Sequence, residues 1–239
     1  MGLGMKDINH DYRTEYRAKG QDADSVSPDL RIAMNQLYGT DCIDFGKFID
    51  GVLYYKNRYD VKTHFAPDAF TTYTKLDGNY INKMPFRKDA KEENLELADK
   101  VLMFANTIAG HLFFPCRRID GNTINQNRGT FGKILDRVDL TLRDIKRYYD
   151  KETGDYPLKT TLLRYSFFFD QFANFKEYID HCLLQDFCDE NYNVKLWKDK
   201  YGLPQTKEEL VDFWKWSVDV LERRLKRIEK FANEHGLFE

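Results

Sequence analysis

The chain is 239 residues long, and its 37 lysines and arginines nearly balance its 39 aspartates and glutamates, for a net charge of −2. This length allows a large hydrophobic core without a disulfide or metal, and the charge balance excludes the strong overall basic excess typical of nucleic-acid and membrane-surface binders. The 18 Phe and 15 Tyr residues predict a core built from large rings, whose hydroxyls need hydrogen-bond partners.

The cysteines and the apolar runs indicate where the protein acts. Cys42, Cys116, Cys182 and Cys188 are scattered and form no C-x-x-C pair, which is typical of reduced thiols in a cytosolic protein. The N-terminus has no apolar stretch of signal-peptide length, and no run approaches the length of a membrane span. We therefore expect a cytoplasmic protein with no membrane partner.

The polar N-terminal stretch predicts an extended arm over residues 1–25, followed by a single globular domain over residues 26–239. Ser27 and Pro28 predict a helix start, because a serine oxygen caps free N–H groups and proline fits the first turn. Gly39 should end that helix.

The next part of the chain predicts a small antiparallel meander and then a core helix. Short runs rich in aromatic and β-branched residues predict strands at 51–55, 61–65 and 70–75. Helix formers from 89 to about 108 follow. The apolar run 111–115, HLFFP, fits either a buried strand or the tail of that helix.

Residues 117–150 contain the most unusual stretch, a polar loop followed by an amphipathic helix. The loop combines three arginines, three asparagines and an Asp-Gly turn within 117–132. The helix has apolar residues spaced by three and four, as one face of an α-helix requires. These are Leu135, Val138, Leu142, Ile145 and Tyr149.

Three helices are predicted after this stretch, at 158–170, 175–185 and 206–233. Asn174 with Glu177 and Thr206 with Glu209 have the spacing of capping boxes at two of the starts. An aromatic cluster on the first two helices should lie in the core. Its members are Tyr165, Phe167, Phe168, Phe169, Phe172, Phe175 and Tyr178.

The segment 129–133, GTFGK, resembles a phosphate loop but has the wrong spacing for a Walker motif and lacks the following Ser or Thr. What it does predict is a generic anion site, in which N–H groups at a helix start lie beside Arg128 and Lys133.

Charge counts support an anionic ligand for the loop. Eight basic and four acidic residues between 117 and 147 leave a local excess of four positive charges, and arginine matches phosphate oxygens well. The charges within the helix fit its dipole and an Asp139–Arg143 pair, so only the loop residues are assigned to binding. The predicted ligand-binding residues are Arg117, Arg118, Asn122, Asn125, Asn127, Arg128 and Lys133. If there is catalysis, Asp120 or Asp136 would be the general base.

Other chemistries lack their signatures. His181 has no partner at metal-ligand spacing, so no metal site is predicted. No G-x-S-x-G elbow and no cysteine in a nucleophile context are present, and no cofactor is implied.

Several strings in the chain are similar to those of one family. RIDG, TIN, RG and DRVDLTLRDIKRYY, then RYSFFFDQFANFKEYIDHCLLQDF, together with KDINHDYR and APDAF, resemble an uncharacterised family of bacterial and phage proteins, classed as a domain of unknown function. Where that family usually has Pro-Gly-Asn, this chain has Pro115, Cys116 and Arg117. The resemblance implies a bacterial or phage cytosolic protein and brings no catalytic residues.

The sequence therefore predicts a mainly helical α+β domain, with five or six helices around a central one and a small antiparallel sheet from the N-terminal third. The leading hypothesis is a loop that binds an anionic ligand, a nucleotide or nucleic-acid phosphate. The alternative is a non-enzymatic phage or mobile-element factor that binds a host protein. In that case the loop is an internal hydrogen-bond network, with arginines buried against Asp136, Asp139 and Asp186.

Overall fold

The computed structural model describes residues 7–12, 27–38, 48–49, 52–56, 62–74, 83–115, 122–129 and 134–237. Within these ranges, nine α-helices and two short 3-10 turns accompany a four-stranded antiparallel sheet. The predicted class, mainly helical α+β with a small antiparallel sheet, is confirmed. The helices outnumber the prediction because two predicted helices are each broken in two and one short helix was missed.

The elements have the following bounds. The helices are α1 (Pro28–Tyr38), α2 (Arg87–Glu93), α3 (Leu95–Ala105), α4 (Ile124–Arg128), α5 (Val138–Tyr149), α6 (Lys159–Arg164), α7 (Ser166–Phe169), α8 (Phe175–His181) and α9 (Lys207–Glu234). The strands are β1 (Phe48–Ile49), β2 (Val52–Lys56), β3 (Lys62–Ala69) and β4 (His111–Pro115), and the 3-10 turns are Ile108–Gly110 and Gln185–Phe187.

The sheet has the order β1-β2-β3-β4, and every neighbouring pair is antiparallel. The HLFFP run is the strand β4, buried along its whole length. The predicted strand at 70–75 is wrong over its described residues, since 70–74 have no regular structure. The chain leaves the ladder there because Tyr73 has a φ of +53° and the Thr72 carbonyl accepts from Trp214 Nε1 instead, at 2.7 Å.

The long helix α9 and the shorter α5 organise two parts of the core. α9 packs against α2, α3 and both 3-10 turns, with Trp214 and Ile228 fully buried on its inner face. α5 packs against α6 and α8. The aromatic cluster predicted on α6 to α8 is buried, apart from Phe167, which is half-buried.

Capping explains several helix bounds. The side chains of Ser27, Asn174 and Thr206 accept the N–H groups of residues three positions on, as the sequence predicted. In contrast, Leu135 was wrongly assigned to the central helix. It has a φ of +53° and precedes α5, which begins at Val138.

Part of the predicted N-terminal arm contacts the core. Ile8 and Tyr12 are buried, and the Tyr12 N–H donates to the Asn106 carbonyl at 3.1 Å. Residues 13–26 lie outside the described ranges, so the boundary at residue 25 stays a prediction. None of the helices described has both the length and the apolar character needed to cross a membrane.

Candidate functional site

The structure describes five of the nine predicted site residues. Arg117, Arg118, Asp120 and Lys133 lie outside the described ranges. The five described are Asn122, Asn125, Asn127, Arg128 and Asp136, and they lie on or beside α4 and at the turn that precedes α5.

Helix α4 is only five residues long, and a capping box holds it. The Thr123 hydroxyl accepts the Gln126 N–H at 3.1 Å, and the Gln126 side chain accepts the Thr123 N–H at 3.0 Å. This arrangement satisfies free N–H groups at the helix start. It leaves Asn125 exposed, while Asn127 donates to the Thr161 hydroxyl of α6 at 2.6 Å.

Exposed Asn122 joins the same cluster of polar side chains. Its side-chain amide donates to Oδ1 of the Asn127 side chain at 3.3 Å. The structure therefore brings the three predicted asparagines together on one short helix and the residues that precede it.

Arg128 ends α4 with its side chain fully buried. Its Nη1 forms an ion pair with Asp68 of β3, its Nε donates to the Thr141 hydroxyl at 2.9 Å, and its Nη2 donates to the Asp136 carbonyl at 3.4 Å. The partner carboxylate is thus Asp68, which no sequence pattern linked to the loop.

The turn at residues 134–136, which precedes α5, is tied to the end of α4. The Asp136 N–H donates to the Arg128 carbonyl at 2.8 Å, and the Tyr73 hydroxyl donates to the Leu135 carbonyl at 2.8 Å. Leu135 and Asp136 both have left-handed backbones, with φ of +53° and +59°. Such a conformation costs about 1–2 kcal/mol for each non-glycine residue, so the surrounding contacts must enforce it.

Gly129 lets the Asp136 carboxylate approach the end of α4. A Cβ added at Gly129 would lie 3.2 and 3.3 Å from the two Asp136 carboxylate oxygens and 3.4 Å from the Asn125 carbonyl. A side chain at this position would therefore require the carboxylate to shift by a few tenths of an ångström. The half-buried Asp136 carboxylate therefore lies beside the end of α4.

At the start of α5, the carboxylate of Asp139 accepts hydrogen bonds from other groups of the chain. Asp139 accepts from Arg137 Nε at 3.1 Å and Nη2 at 2.5 Å, and also from the Trp197 N–H at 3.0 Å. The remaining Arg137 donors bind the Lys198 and Lys200 carbonyls. This pair fixes the segment 197–200 against the helix.

A second group of charges on α5 was missed by the sequence reasoning, which assigned these residues to the helix dipole. Asp144 is fully buried, with its Oδ2 accepting the Leu158 N–H at 3.0 Å. Its Oδ1 lies 3.8 Å from both Arg143 Nε and Arg147 Nη1. Burial raises the pKa of Asp144 from 3.8 to about 6, although Leu158 and both arginines oppose the shift.

Other polar features are internally paired. A groove of about 300 Å³ runs between the second 3-10 turn and α9. Its Asp186 is paired with Arg227, and its Asp189 accepts the N–H groups of the turn that follows it. The rings of Tyr38 and Phe172 pack near His181. Among the residues described, no three His, Cys, Asp or Glu side chains are grouped so as to hold a metal ion.

The two described cysteines are poor nucleophiles. Cys182 and Cys188 are free thiols, and burial raises the pKa of each to about 12. A thiolate is the reactive form, so at neutral pH neither has the character of a catalytic cysteine.

Comparison with known proteins gives a family and no activity. No curated protein and no solved structure matches the chain. The sequence model of one family matches residues 6–228, a span that includes α4, the turn and α5. The chain therefore belongs to the family of unknown function DUF6994.

Proposed function

We propose that the protein binds an anionic ligand, a nucleotide or a nucleic-acid phosphate, on the surface formed by residues 117–133 and α4. The observation that carries this proposal is the strained backbone at Leu135 and Asp136, which the Asp136 N–H ties to the Arg128 carbonyl. Strained backbone persists only where the surroundings enforce it, and it is often found where a site must be preorganised. Here it holds the Asp136 carboxylate against Gly129, at the end of the helix that carries Asn125 and Asn127.

In this proposal the predicted residues have distinct roles. Arg117, Arg118 and Lys133 supply positive charge, and Asn122, Asn125 and Asn127 orient the ligand through their amides. Arg128 anchors the turn from inside, because its donors already bind Asp68, Thr141 and the Asp136 carbonyl. If the protein also catalyses a reaction, Asp136 or Asp120 acts as the general base.

A thermal-shift screen against nucleotides, phosphorylated metabolites and short oligonucleotides tests this proposal. One ligand class should raise the melting temperature of the unmodified protein, because a ligand that binds only the folded state stabilises it. Asn125→Ala and Arg118→Ala should remove the shift, whereas Asn233→Ala, at an exposed position of α9, should keep it. A screen with no shift, or equal loss in the control, contradicts the proposal.

A second function is favoured by one observation, the complete burial of Arg128 against Asp68. Burial of a loop arginine fits an internal network in a non-enzymatic factor that binds a host protein, but the partner carboxylate is Asp68 and not the predicted Asp136, Asp139 or Asp186. Under this reading no phosphate-bearing ligand shifts the melting temperature, and Arg118→Ala lowers the stability of the ligand-free protein. The bacterial or phage origin and the cytoplasmic location belong with these proposals.

A further inference from the structure

The strongest feature outside the proposed surface is a set of buried polar atoms around Asp144. In the part of the chain that the structure describes, Asp144 Oδ1 and the Nε and Nη2 atoms of Arg143 are buried without a hydrogen-bond partner. Buried polar atoms are nearly always bonded in native proteins, so such a group points to a water, an ion or a ligand. The Asp144 side chain is 0% exposed and that of Arg143 is 14% exposed.

The unpartnered edge of Arg143 has the geometry that binds oxyanions. Nε and Nη2 lie on one edge of the guanidinium, and this pair of donors can bind two oxygens of a phosphate or carboxylate group. The third nitrogen, Nη1, is already bonded to Asp199 at 2.6 Å. At 3.8 Å, Asp144 Oδ1 is too far from Nε for a hydrogen bond, so it does not satisfy this edge.

Arg147 completes the cluster from the next turn of α5. Its Nη1 lies 3.8 Å from Asp144 Oδ1 and donates to the Tyr201 hydroxyl at 3.3 Å. The Tyr201 ring covers Arg143, with its centroid 4.5 Å from the guanidinium carbon. Two guanidinium groups therefore lie close to the Asp144 carboxyl, and both contact Tyr201.

The protonation state of Asp144 decides which ligand fits. An ionised Asp144 would repel an oxyanion held by the two arginines, whereas a protonated Asp144 can donate a hydrogen bond to it. The charged groups nearby are Arg143 and Arg147 on α5, Glu152 near Arg147, and Asp199 near Arg143. Burial already raises the pKa of Asp144 to about 6, so protonation near neutral pH requires only a modest further shift.

The carboxylates of Asp199 and Glu152 do not cancel the positive charge at the buried Nε and Nη2 edge of Arg143. The side chains of Asp199 and Glu152 are 78% and 49% exposed, so water and salt screen them. Such exposed ion pairs are weak, and Asp199 bonds Nη1, which leaves the Nε and Nη2 donors available to an anion.

We propose that Arg143, Asp144 and Arg147 form a binding site for one oxyanion group of a small ligand, phosphate or carboxylate, taken up together with one proton on Asp144. The Arg143 edge binds two oxygens of the group, and protonated Asp144 donates to one of them. This site lies on α5 and does not depend on the function proposed for residues 117–133.

Calorimetry on the unmodified protein tests the proton uptake directly. Sulfate is the tetrahedral probe and acetate the planar one, and each is titrated at about pH 7 in two buffers of different ionisation enthalpy. We expect uptake of about one proton per anion bound, and an affinity that falls up to about tenfold per pH unit above the pKa of Asp144. Binding of sulfate alone identifies a phosphate-type site, and binding of acetate alone a carboxylate-type site. Binding of neither, or binding without proton uptake, overturns the proposal.

Four variants locate the effect. Arg143→Lys keeps the charge but loses the paired donors, so it should weaken anion binding by about tenfold or more. Arg223→Lys on α9, at an arginine paired on the surface with Asp219, is the matched control and should bind normally. Asp144→Asn cannot ionise, so it should bind the anion with no proton uptake. Equal weakening in both lysine variants, or proton uptake that persists in Asp144→Asn, would exclude this site. Asn125→Ala should leave this binding unchanged, which separates it from the surface at α4.

Discussion

Arg128 illustrates how a buried charge fixes a local structure. A guanidinium removed from water is costly unless its donors are bonded, and here its three nitrogens bind Asp68, Thr141 and the Asp136 carbonyl. These partners come from β3, α5 and the turn before α5. The residue therefore joins three segments that are distant in sequence, and it positions Asp136 without contacting solvent.

We predict that Arg128→Ala lowers the free energy of unfolding by about 3–5 kcal/mol, because it leaves the Asp68 carboxylate buried without its partner. Urea unfolding measures this value. The control Arg223→Ala removes an arginine whose side chain is 45% exposed, and should change stability by less than about 0.5 kcal/mol. Similar small losses in both variants would mean that Arg128 is not an internal anchor.

Asp144 should make stability depend on pH. Its pKa is about 6 in the folded protein and 3.8 when unfolded, so between these values the folded state binds more protons. The contribution of Asp144 to the free energy of unfolding is therefore greatest at low pH, and it falls as the pH rises from 3.8 to about 6. At about 1.36 kcal/mol per pKa unit, the loss is on the order of 3 kcal/mol.

The variant Asp144→Asn removes this dependence while its amide oxygen can still accept the Leu158 N–H. We expect the variant to gain stability relative to the unmodified protein between about pH 4 and about pH 7, as measured by urea unfolding at both values. A stability difference that does not change with pH would show that Asp144 titrates normally.

At the scale of elements, α4 depends on its capping box more than on its length. Helices this short are marginal in isolation, so the Thr123 cap and the contact from Asn127 to Thr161 determine whether it forms. The same kind of cap opens α9, where Thr206 accepts the Glu209 N–H. The two caps form a natural pair for comparison.

We predict that Thr123→Ala and Thr206→Ala each lower the free energy of unfolding by about 1 kcal/mol. Only Thr123→Ala should also reduce the thermal shift given by a ligand of the proposed surface, because it loosens the helix that presents Asn125. Denaturation and thermal-shift measurements on both variants check this. An equal loss of the ligand effect in both would indicate general destabilisation.

At the scale of the whole molecule, Arg224 on α9 links the helical and sheet parts. Its fully buried guanidinium donates to the carbonyls of Ala109, His111, Cys182 and Leu183 and to the Tyr38 hydroxyl. None of these partners is a carboxylate. Burial raises the pKa of Tyr38 to about 12, although Arg224 opposes the shift, so this hydroxyl stays neutral.

Arg224→Met should lower the free energy of unfolding by more than about 3 kcal/mol, since several buried carbonyls lose their donor at once. The slope of the free energy of unfolding against denaturant concentration should stay unchanged if the described parts unfold as one unit. Arg227→Met is the control on the same helix, because its pair with Asp186 is partly exposed, and should cost about 1 kcal/mol or less. Two separate transitions in the variant would contradict a single cooperative unit.

Features that depend on neighbouring residues could be predicted from the amino-acid sequence. Helix periodicity and capping residues predicted α1, α8 and α9 closely, because a cap acts within three or four positions. The aromatic residues between 165 and 178 could also be assigned to the core, because they are clustered along the chain. The cluster of asparagines was also visible, since its members are close along the chain.

Features that depend on long-range contacts could be seen only in the folded chain. Whether HLFFP is a strand depended on pairing with β3, and the break after β3 depended on Trp214 of α9. The pairing of Arg128 with Asp68 spans 60 positions, so no local pattern could predict it. The acidity of Asp144 depends on burial beneath α6, which spacing along α5 does not encode, because desolvation is a property of the packed chain.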